Sequence, residues 1–419
     1  MKNQELVSII IPTYNNEKSI ENTIKNALFQ TYRNIEIIIV NDASTDETEN
    51  ICKYFVKRDQ RIILVSNNKN MGAGVSRNIG LKKAKGKYVF FVDADDEFKN
   101  SLIEDVIQRM EKDSAEVAVF GYETYELYSQ DVSQHGYYDG VLECMDSKVL
   151  RSIGWAPWNK LFKRDFLEEN SIEFQNIPNA NDLFFVIKSL IKAKRISLID
   201  GNYIRYTEGY KGSITYKRNI EHDYTIFAIE KIFSFMYEET IARSKYIEYF
   251  NYLIDTLAKS YLKKEKTNIC RKRFIEDWHK IGFSTTCYSI VGVEKLYPHN
   301  REFIRMMDDK QIIDCEDYYS LYKESINEVF KKTNGDSIAI WGFGIQGKAL
   351  YEFLKKNKFN IDYIIDIDKN KIKQAMAPRV YGPEYIEDKD PYILLTNIMY
   401  YEEVFRITNS NKIICLEKL

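Results

Sequence analysis

The strongest constraint in this chain is an alternation. Four short runs of β-branched and aromatic residues, Val7–Ile11, Ile35–Val40, Arg61–Val65 and Tyr88–Val92, are separated by stretches with helical spacing. In the first stretch Ile20, Ile24, Ala27 and Leu28 fall on one face. The second opens with Ser44-Thr45-Asp46-Glu47, which fits a capping box with Ser44 as N-cap and Glu47 at N3. The third runs from about Gly74 to Lys85 and stops at Gly86, a candidate C′ glycine. Strands that alternate with helices predict a parallel sheet with helices on both faces. In such sheets ligands sit beyond the carboxyl ends of the strands. Tyr14, Asp42 and Asp93 stand at or just past those ends, so the fold should bring them together.

The pattern then changes twice. Residues 219–334 read as mainly helical, with Tyr246, Phe250, Leu253, Leu257 and Tyr261 forming an apolar stripe expected to be core. Lys263, Lys264, Lys266, Arg271, Lys272 and Arg273 make a basic patch. A solvated face is the expectation there; contact with anionic lipid headgroups, and so peripheral membrane association, is the alternative. From residue 335 the alternation returns, with strands expected at Ser337–Trp341, Tyr363–Asp366, Tyr392–Thr396 and Lys412–Leu416. The expected organisation is an α/β domain over 1–218, a helical region over 219–334 and a small Rossmann-like α/β domain over 335–419.

Composition narrows the function classes. Lys plus Arg number 60 and Asp plus Glu 62, for a formal charge of −2, which excludes a globally basic nucleic-acid binder. Hydrophobic residues at 44%, with 18 Gly and 7 Pro, exclude a disordered or fibrous chain. Six cysteines and four histidines are scattered without C-x-x-C or metal-ligand spacing. The polar start and short apolar runs predict no signal peptide and no membrane span, hence a cytoplasmic protein.

Asp93-Ala94-Asp95-Asp96 follows an expected strand. Two carboxylates one residue apart in such a place can grip a hard divalent cation and a ribose hydroxyl together. Mg²⁺ and Mn²⁺ take oxygen ligands and often complete their shell with substrate phosphates. A solvated acidic turn is the plain alternative for an isolated D-x-D, but Asp42 ends a neighbouring strand of the same sheet.

At these residues the chain resembles glycosyltransferase family 2, the inverting nucleotide-sugar glycosyltransferases with the GT-A fold. The resemblance is carried by Val7-Ser8-Ile9-Ile10-Ile11-Pro12-Thr13-Tyr14-Asn15-Asn16, Val40-Asn41-Asp42-Ala43-Ser44-Thr45-Asp46, Ser76-Arg77-Asn78-Ile79-Gly80 and the acidic run, over roughly residues 5–215. It implies a UDP-sugar donor and a glycan, lipid-linked or polymer acceptor in cell-surface glycan synthesis. Tyr14 and Pro12 would shape the uracil pocket, Asp42 would accept the uracil imide N–H, and Arg77 would contact the nucleotide. Asp93 would hold the ribose, and Asp95 the Mn²⁺ or Mg²⁺ that bridges the diphosphate.

Trp158-Asn159-Lys160-Leu161-Phe162-Lys163-Arg164-Asp165-Phe166 resembles the segment that precedes the family's catalytic base. The base motif, normally Glu-Asp at a helix start, reads Asn181-Asp182 here, so Asp182 is the implied base and Asn181 replaces the usual Glu. An Asp at a helix start is also an ordinary N-cap. Residues 203–215 resemble the strand and loop that close over the donor, where Lys211 or Arg205 could assist. Trp155, Trp158 and Tyr122–Tyr128 are candidates for the acceptor side, with core packing the plainer expectation.

Two rival readings stand beside glycosyl transfer. One is a nucleotide-sugar sensor or scaffold without turnover. The other is an NAD-linked enzyme centred on Gly342, Gly344 and Gly347, with Asp366 near the place of a ribose-binding acid. The same glycines also serve a tight strand–helix turn, and the expected role of this unit is assembly, including a homo-oligomer, or acceptor placement.

Overall fold

The computed structural model describes residues 4–126, 132–137, 139–143, 147–208, 221–238, 243–262, 266–309, 321–333, 336–342, 345–366, 380–386, 391–395, 401–408 and 412–416. The chain forms two compact units, Met1–Tyr246 and Ile247–Leu419.

The first unit begins with the expected alternation: β1 (Val7–Thr13), α1 (Ile20–Leu28), β2 (Ile35–Asn41), α2 (Thr48–Val56), β3 (Ile62–Ser66), α3 (Ala73–Lys83) and β4 (Tyr88–Phe91). It continues through β5 (Glu97–Phe98), α4 (Leu102–Asp113), β6 (Val117–Glu126), β7 (Val132–His135), β8 (Gly140–Leu142), α5 (Ser147–Ser152), β9 (Lys160–Lys163), α6 (Arg164–Glu169), α7 (Asn181–Lys192), β10 (Ile196–Glu208) and α8 (Thr225–Glu238). The sheet runs β3-β2-β1-β4-β9-β6-β10-β5. Its first four strands are parallel, and β9 is antiparallel to both β4 and β6. Every residue of β1 and β2 is buried, which is why both strands are dominated by Ile and Val on both faces. Chain order reverses between β1 and β4, the switch point where α/β sheets open a crevice.

Register places the site. Ile10 O accepts from Val92 N, so Pro12, two residues on, would aim its missing N–H at the same side. The β1–β4 pairing has already ended at Ile10, so the proline removes no ladder bond there. Because β9 runs antiparallel to β4, with Leu161 paired to Phe90, its first residue, Lys160, lies near the carboxyl end of β4, and on the other side it pairs with Val119 of β6.

Two local expectations are corrected. Ser44 does not cap α2: its Oγ accepts from Asn15 N at 3.0 Å, and Asp46 Oδ1 takes Thr48 N at 3.0 Å. Gly86 is not a helix C′ residue, since α3 ends at an extended Ala84. A Cβ at Gly86 would lie 2.6 Å from Ser8 N, so the glycine permits close approach to β1.

The helix α8 lies in the stretch expected to be a separate helical region, yet it packs on α7, with Phe184 and Phe235 edge to face at 5.9 Å.

The second unit carries helices α9 (Arg243–Tyr261, starting in the first unit), α10 (Asn268–Lys280), α11 (Phe283–Ile290), α12 (Pro298–Asp308) and α13 (Lys323–Thr333). The stripe Tyr246, Phe250, Leu253, Leu257 and Tyr261 is buried as expected. In the basic patch Lys266 and Arg271 are buried, so it is not one continuous charged surface; Lys263 and Lys264 lie outside the described residues. A five-stranded parallel sheet follows, made of β11 (Ile338–Trp341), β12 (Tyr363–Ile365), β13 (Val380–Tyr381), β14 (Tyr392–Leu395) and β15 (Ile413–Cys415) in the order β13-β12-β11-β14-β15. Among the described residues no helix is long and apolar enough to cross a membrane.

Candidate active site

The loops after β1 and β2 are laced together. Thr45 N donates to Asn15 Oδ1 at 2.8 Å, Asn16 N to Thr48 Oγ1 at 2.8 Å, and Glu17 N to Asp46 Oδ2 at 3.1 Å. Asn15 and Ala43 adopt left-handed backbone (φ 53 and 59), a strained choice that these bonds hold in place. The lacing presents Tyr14 at the rim, 42% exposed, as an open aromatic face.

Asp42 is buried, and its carboxylate braces the next loop. Oδ1 accepts from Asn67 Nδ2 at 2.7 Å and Met71 N at 2.9 Å, and Oδ2 accepts from Gly72 N at 2.7 Å. An ionised carboxylate has about four lone-pair positions, so one remains. Asn67 had no sequence signal as a partner, because the bond joins turns from different strands.

Past β4 the acidic run folds into a tight turn, with Asp96 N bonded to Asp93 O at 3.2 Å. Asp95 is exposed at the turn, yet desolvation of its carboxyl by the surrounding chain, and then the like charge of Asp93, push it up to about 6. Asp96 is buried, and burial, then Asp93 and Asp95, raise its carboxyl well above the usual range. Three acids crowded in four residues carry charge that a cation would relieve. Among the described residues no group of three or more His, Cys, Asp or Glu could hold a metal ion. Carboxylates are the donor type that a hard divalent ion takes when phosphate oxygens complete its shell, and Asp93 and Asp95 supply that type here.

Arg77, on α3, ties this turn to α7. Its Nη2 donates to Asp93 Oδ1 at 2.6 Å and its Nη1 to Asn181 Oδ1 at 3.0 Å. The guanidinium also lies over the Phe174 ring, 5.3 Å from its centroid. Asn78 fixes the same region, exchanging two 2.9 Å bonds with the Phe174 backbone.

Asp182 sits in the first turn of α7, half-buried. The residue before the helix is Ala180, in left-handed backbone, so Asp182 is not the N-cap that the plainer expectation allowed. Lys160 acts on it electrostatically from β9.

Arg205 is exposed and bonds Glu123 at 2.6 Å, while Lys211 and residues 212–215 lie outside the described residues. Trp158 is buried and stacks on Tyr206 at 5.2 Å, with Tyr122 edge-on at 4.8 Å. In the second unit Gly342 has φ +86, and a Cβ on Gly347 would fall 1.8 Å from Gly342 O, so the turn itself requires glycine at 347. Asp366 is buried just past β12; Gly344 is not among the described residues.

Comparison with known proteins agrees with this fold. The Glycosyl transferase family 2 model matches residues 8–170. Glycosyltransferase GlyG of Streptococcus pneumoniae serotype 4 is 30% identical over 216 residues, covering 48% of this chain and 70% of that protein. The UDP-Glc:alpha-D-GlcNAc-diphosphoundecaprenol beta-1,3-glucosyltransferase WfaP of Escherichia coli is 35% identical over 199 residues, covering 48% of this chain and 77% of that protein. The chain belongs to glycosyltransferase family 2. The family model covers about two fifths of the chain, and each of the two relatives covers 48% of it. In fold, a crystal structure of S. aureus TarS 1-349 in complex with UDP-GlcNAc gives a TM-score of 0.62 at 19% identity, covering 77% of this chain and 92% of that one. In this sheet Tyr14, Asp42, Asp93 and Asp95 all follow the carboxyl ends of β1, β2 and β4.

Proposed function

We propose that this glycosyltransferase moves a sugar from a UDP-sugar to an acceptor hydroxyl of a cell-surface glycan precursor, with inversion and with Mn²⁺ or Mg²⁺. The observation that carries the reading is the bonded path Asp93–Arg77–Asn181, which ends one residue from Asp182. It couples a turn suited to a nucleotide diphosphate to a carboxylate suited to take a proton.

In this reading Tyr14 stacks on uracil and the Pro12 backbone shapes the pocket floor. The remaining lone pair of Asp42 accepts the imide N–H, which cytosine lacks. Asp93 holds the ribose, and Arg77 adds a fixed buried charge beside the diphosphate. Asp95 would hold the divalent ion, which when bound stabilises charge on the departing diphosphate. Asp182 accepts the proton of the acceptor hydroxyl as that oxygen attacks the anomeric carbon. One displacement inverts the anomeric configuration, and no sugar–enzyme bond forms.

WfaP is a glucosyltransferase acting on alpha-D-GlcNAc-diphosphoundecaprenol, which supports a lipid-linked acceptor. For the second unit we infer a role in assembly or acceptor placement. The Gly347 packing requirement explains the glycine turn with no ligand present.

Incubation with UDP-glucose, UDP-galactose and their N-acetyl relatives, each with a lipid-linked acceptor and Mn²⁺, tests the reading through UDP release. Release with at least one donor is expected. Binding of UDP-sugars with no release from any would instead favour a scaffold.

A further inference from the structure

The Asp42 carboxylate accepts three N–H groups, unevenly shared between its oxygens. Oδ1 takes Asn67 Nδ2 at 2.7 Å and Met71 N at 2.9 Å, whereas Oδ2 takes Gly72 N at 2.7 Å. Each carboxylate oxygen offers about two lone pairs, so Oδ1 is filled and the open position lies on Oδ2. The terminal torsion of an Asp is soft by itself. Bonds on both oxygens remove that freedom and give the open lone pair a fixed direction.

Of the three donors, Asn67 is the one held by the sheet. It directly follows β3, and its own N–H donates to Asn41 O, at the end of β2, at 2.9 Å. The same Nδ2 also reaches Ser76 Oγ of α3 at 3.3 Å, and Ser76 is fully buried. Met71 and Gly72 donate instead from the far end of a loop whose residues 68–71 are all exposed. The nitrogen end of the Asn67 amide must face Asp42, because an oxygen there would set two acceptors 2.7 Å apart.

We propose that Asn67 is a positioning residue for nucleotide selection: its side-chain amide fixes Asp42 so that the open lone pair on Oδ2 meets a base that donates a proton at ring N3, as uracil does, and repels one that accepts there, as cytosine does. This rests on the reading of Asp42 as the partner of the base.

A carboxylate alone selects less sharply. Cytosine carries an amino group beside its N3, and a carboxylate free to turn could leave the N3 lone pair and accept from that amino group instead. Held from Asn67, Asp42 cannot make that turn without breaking a bond to a charged acceptor. Asp42 is also buried, so bulk water does not simply replace a bond that is lost. Selection then comes from the unfavourable encounter with the wrong base as much as from the bond to the right one.

The decisive experiment titrates UDP and CDP calorimetrically into the full chain and into Asn67→Ala under the same conditions. In Asn67→Ala the UDP-to-CDP affinity ratio should fall about tenfold, with UDP bound more weakly and CDP no worse than before. A purely structural role would weaken both nucleotides alike and leave the ratio in place. A folded Asn67→Ala with an unchanged ratio would therefore overturn the proposal. Asp42→Asn is the reference, because its amide can donate to cytosine N3, and it should erase the preference for UDP. A preference that survives Asp42→Asn would overturn the reading of Asp42 and the proposal with it. A preference erased in Asp42→Asn but kept in Asn67→Ala would overturn the role of Asn67 alone. Should Asn67→Ala not fold, the side-chain amide resonance of Asn67, read by NMR in the unaltered protein, decides instead. Saturating UDP should shift it, since its carboxylate partner gains the imide bond, and a resonance unmoved by saturating UDP would overturn the proposal.

Discussion

Arg77 Nη2 lies 2.6 Å from Asp93 Oδ1, with the arginine side chain 7% exposed and the aspartate 33% exposed. The pair is half inside the protein, where charge-assisted bonds are strong and breaking one partner is costly. Arg77→Lys keeps the charge but loses the fork that reaches both Asp93 and Asn181. Affinity for UDP should weaken about tenfold by calorimetry, with kcat reduced as well. Unchanged affinity and turnover would mean the Arg77 fork has no part in organising the site.

Asp95 is the proposed anchor of the divalent ion. Asp95→Ala should abolish the dependence of transfer on added Mn²⁺ or Mg²⁺ and leave only residual turnover. The fold should persist, because the substitution removes a crowded charge rather than a packed side chain. Full activity of this variant, or of the unaltered enzyme in excess chelator, would refute the assignment.

In the second unit Asp255 offers a stability test. Burial alone would raise its carboxyl, but Lys259 at 2.7 Å, and then His299, hold it well below the usual range. Its folded value lies under the unfolded value of about 4, so the pair stabilises the fold above that pH. That contribution is lost as pH falls through the folded value. Asp255→Asn should lower stability at pH 7 by about 3 kcal/mol. In thermal melts the gap between variant and parent should close steadily below about pH 4. A gap that stays constant with pH would show that the carboxylate charge is not what stabilises the unit.

The sequence made the parallel half of the sheet readable because β1 and β2 are buried on both faces and each carries a central run of Ile and Val. Tyr14, Asp42, Asp93 and Asp95 were readable for the same reason, since strand ends fix where their turns lie. The strands β5 and β13, each of two residues, carry no periodicity of their own. Ser44 looked like a cap because local spacing allowed it, yet Asn15, from another loop, claimed its hydroxyl. Asn67 bracing Asp42 and Arg77 reaching Asn181 are long-range relationships, invisible to local pattern. The packing of α8 on α7 likewise depends on which apolar faces meet, which no spacing within α8 encodes.

The proton-accepting role of Asp182 is tested most directly by turnover and donor binding measured together in Asp182→Asn. The amide preserves the shape at the first turn of α7 but cannot take a proton at neutral pH. UDP-sugar affinity should stay within about twofold, while transfer falls by ~10²–10⁴, the usual contribution of a positioned base. Near-normal transfer by this variant, with donor binding intact, would contradict the assignment and place the base elsewhere.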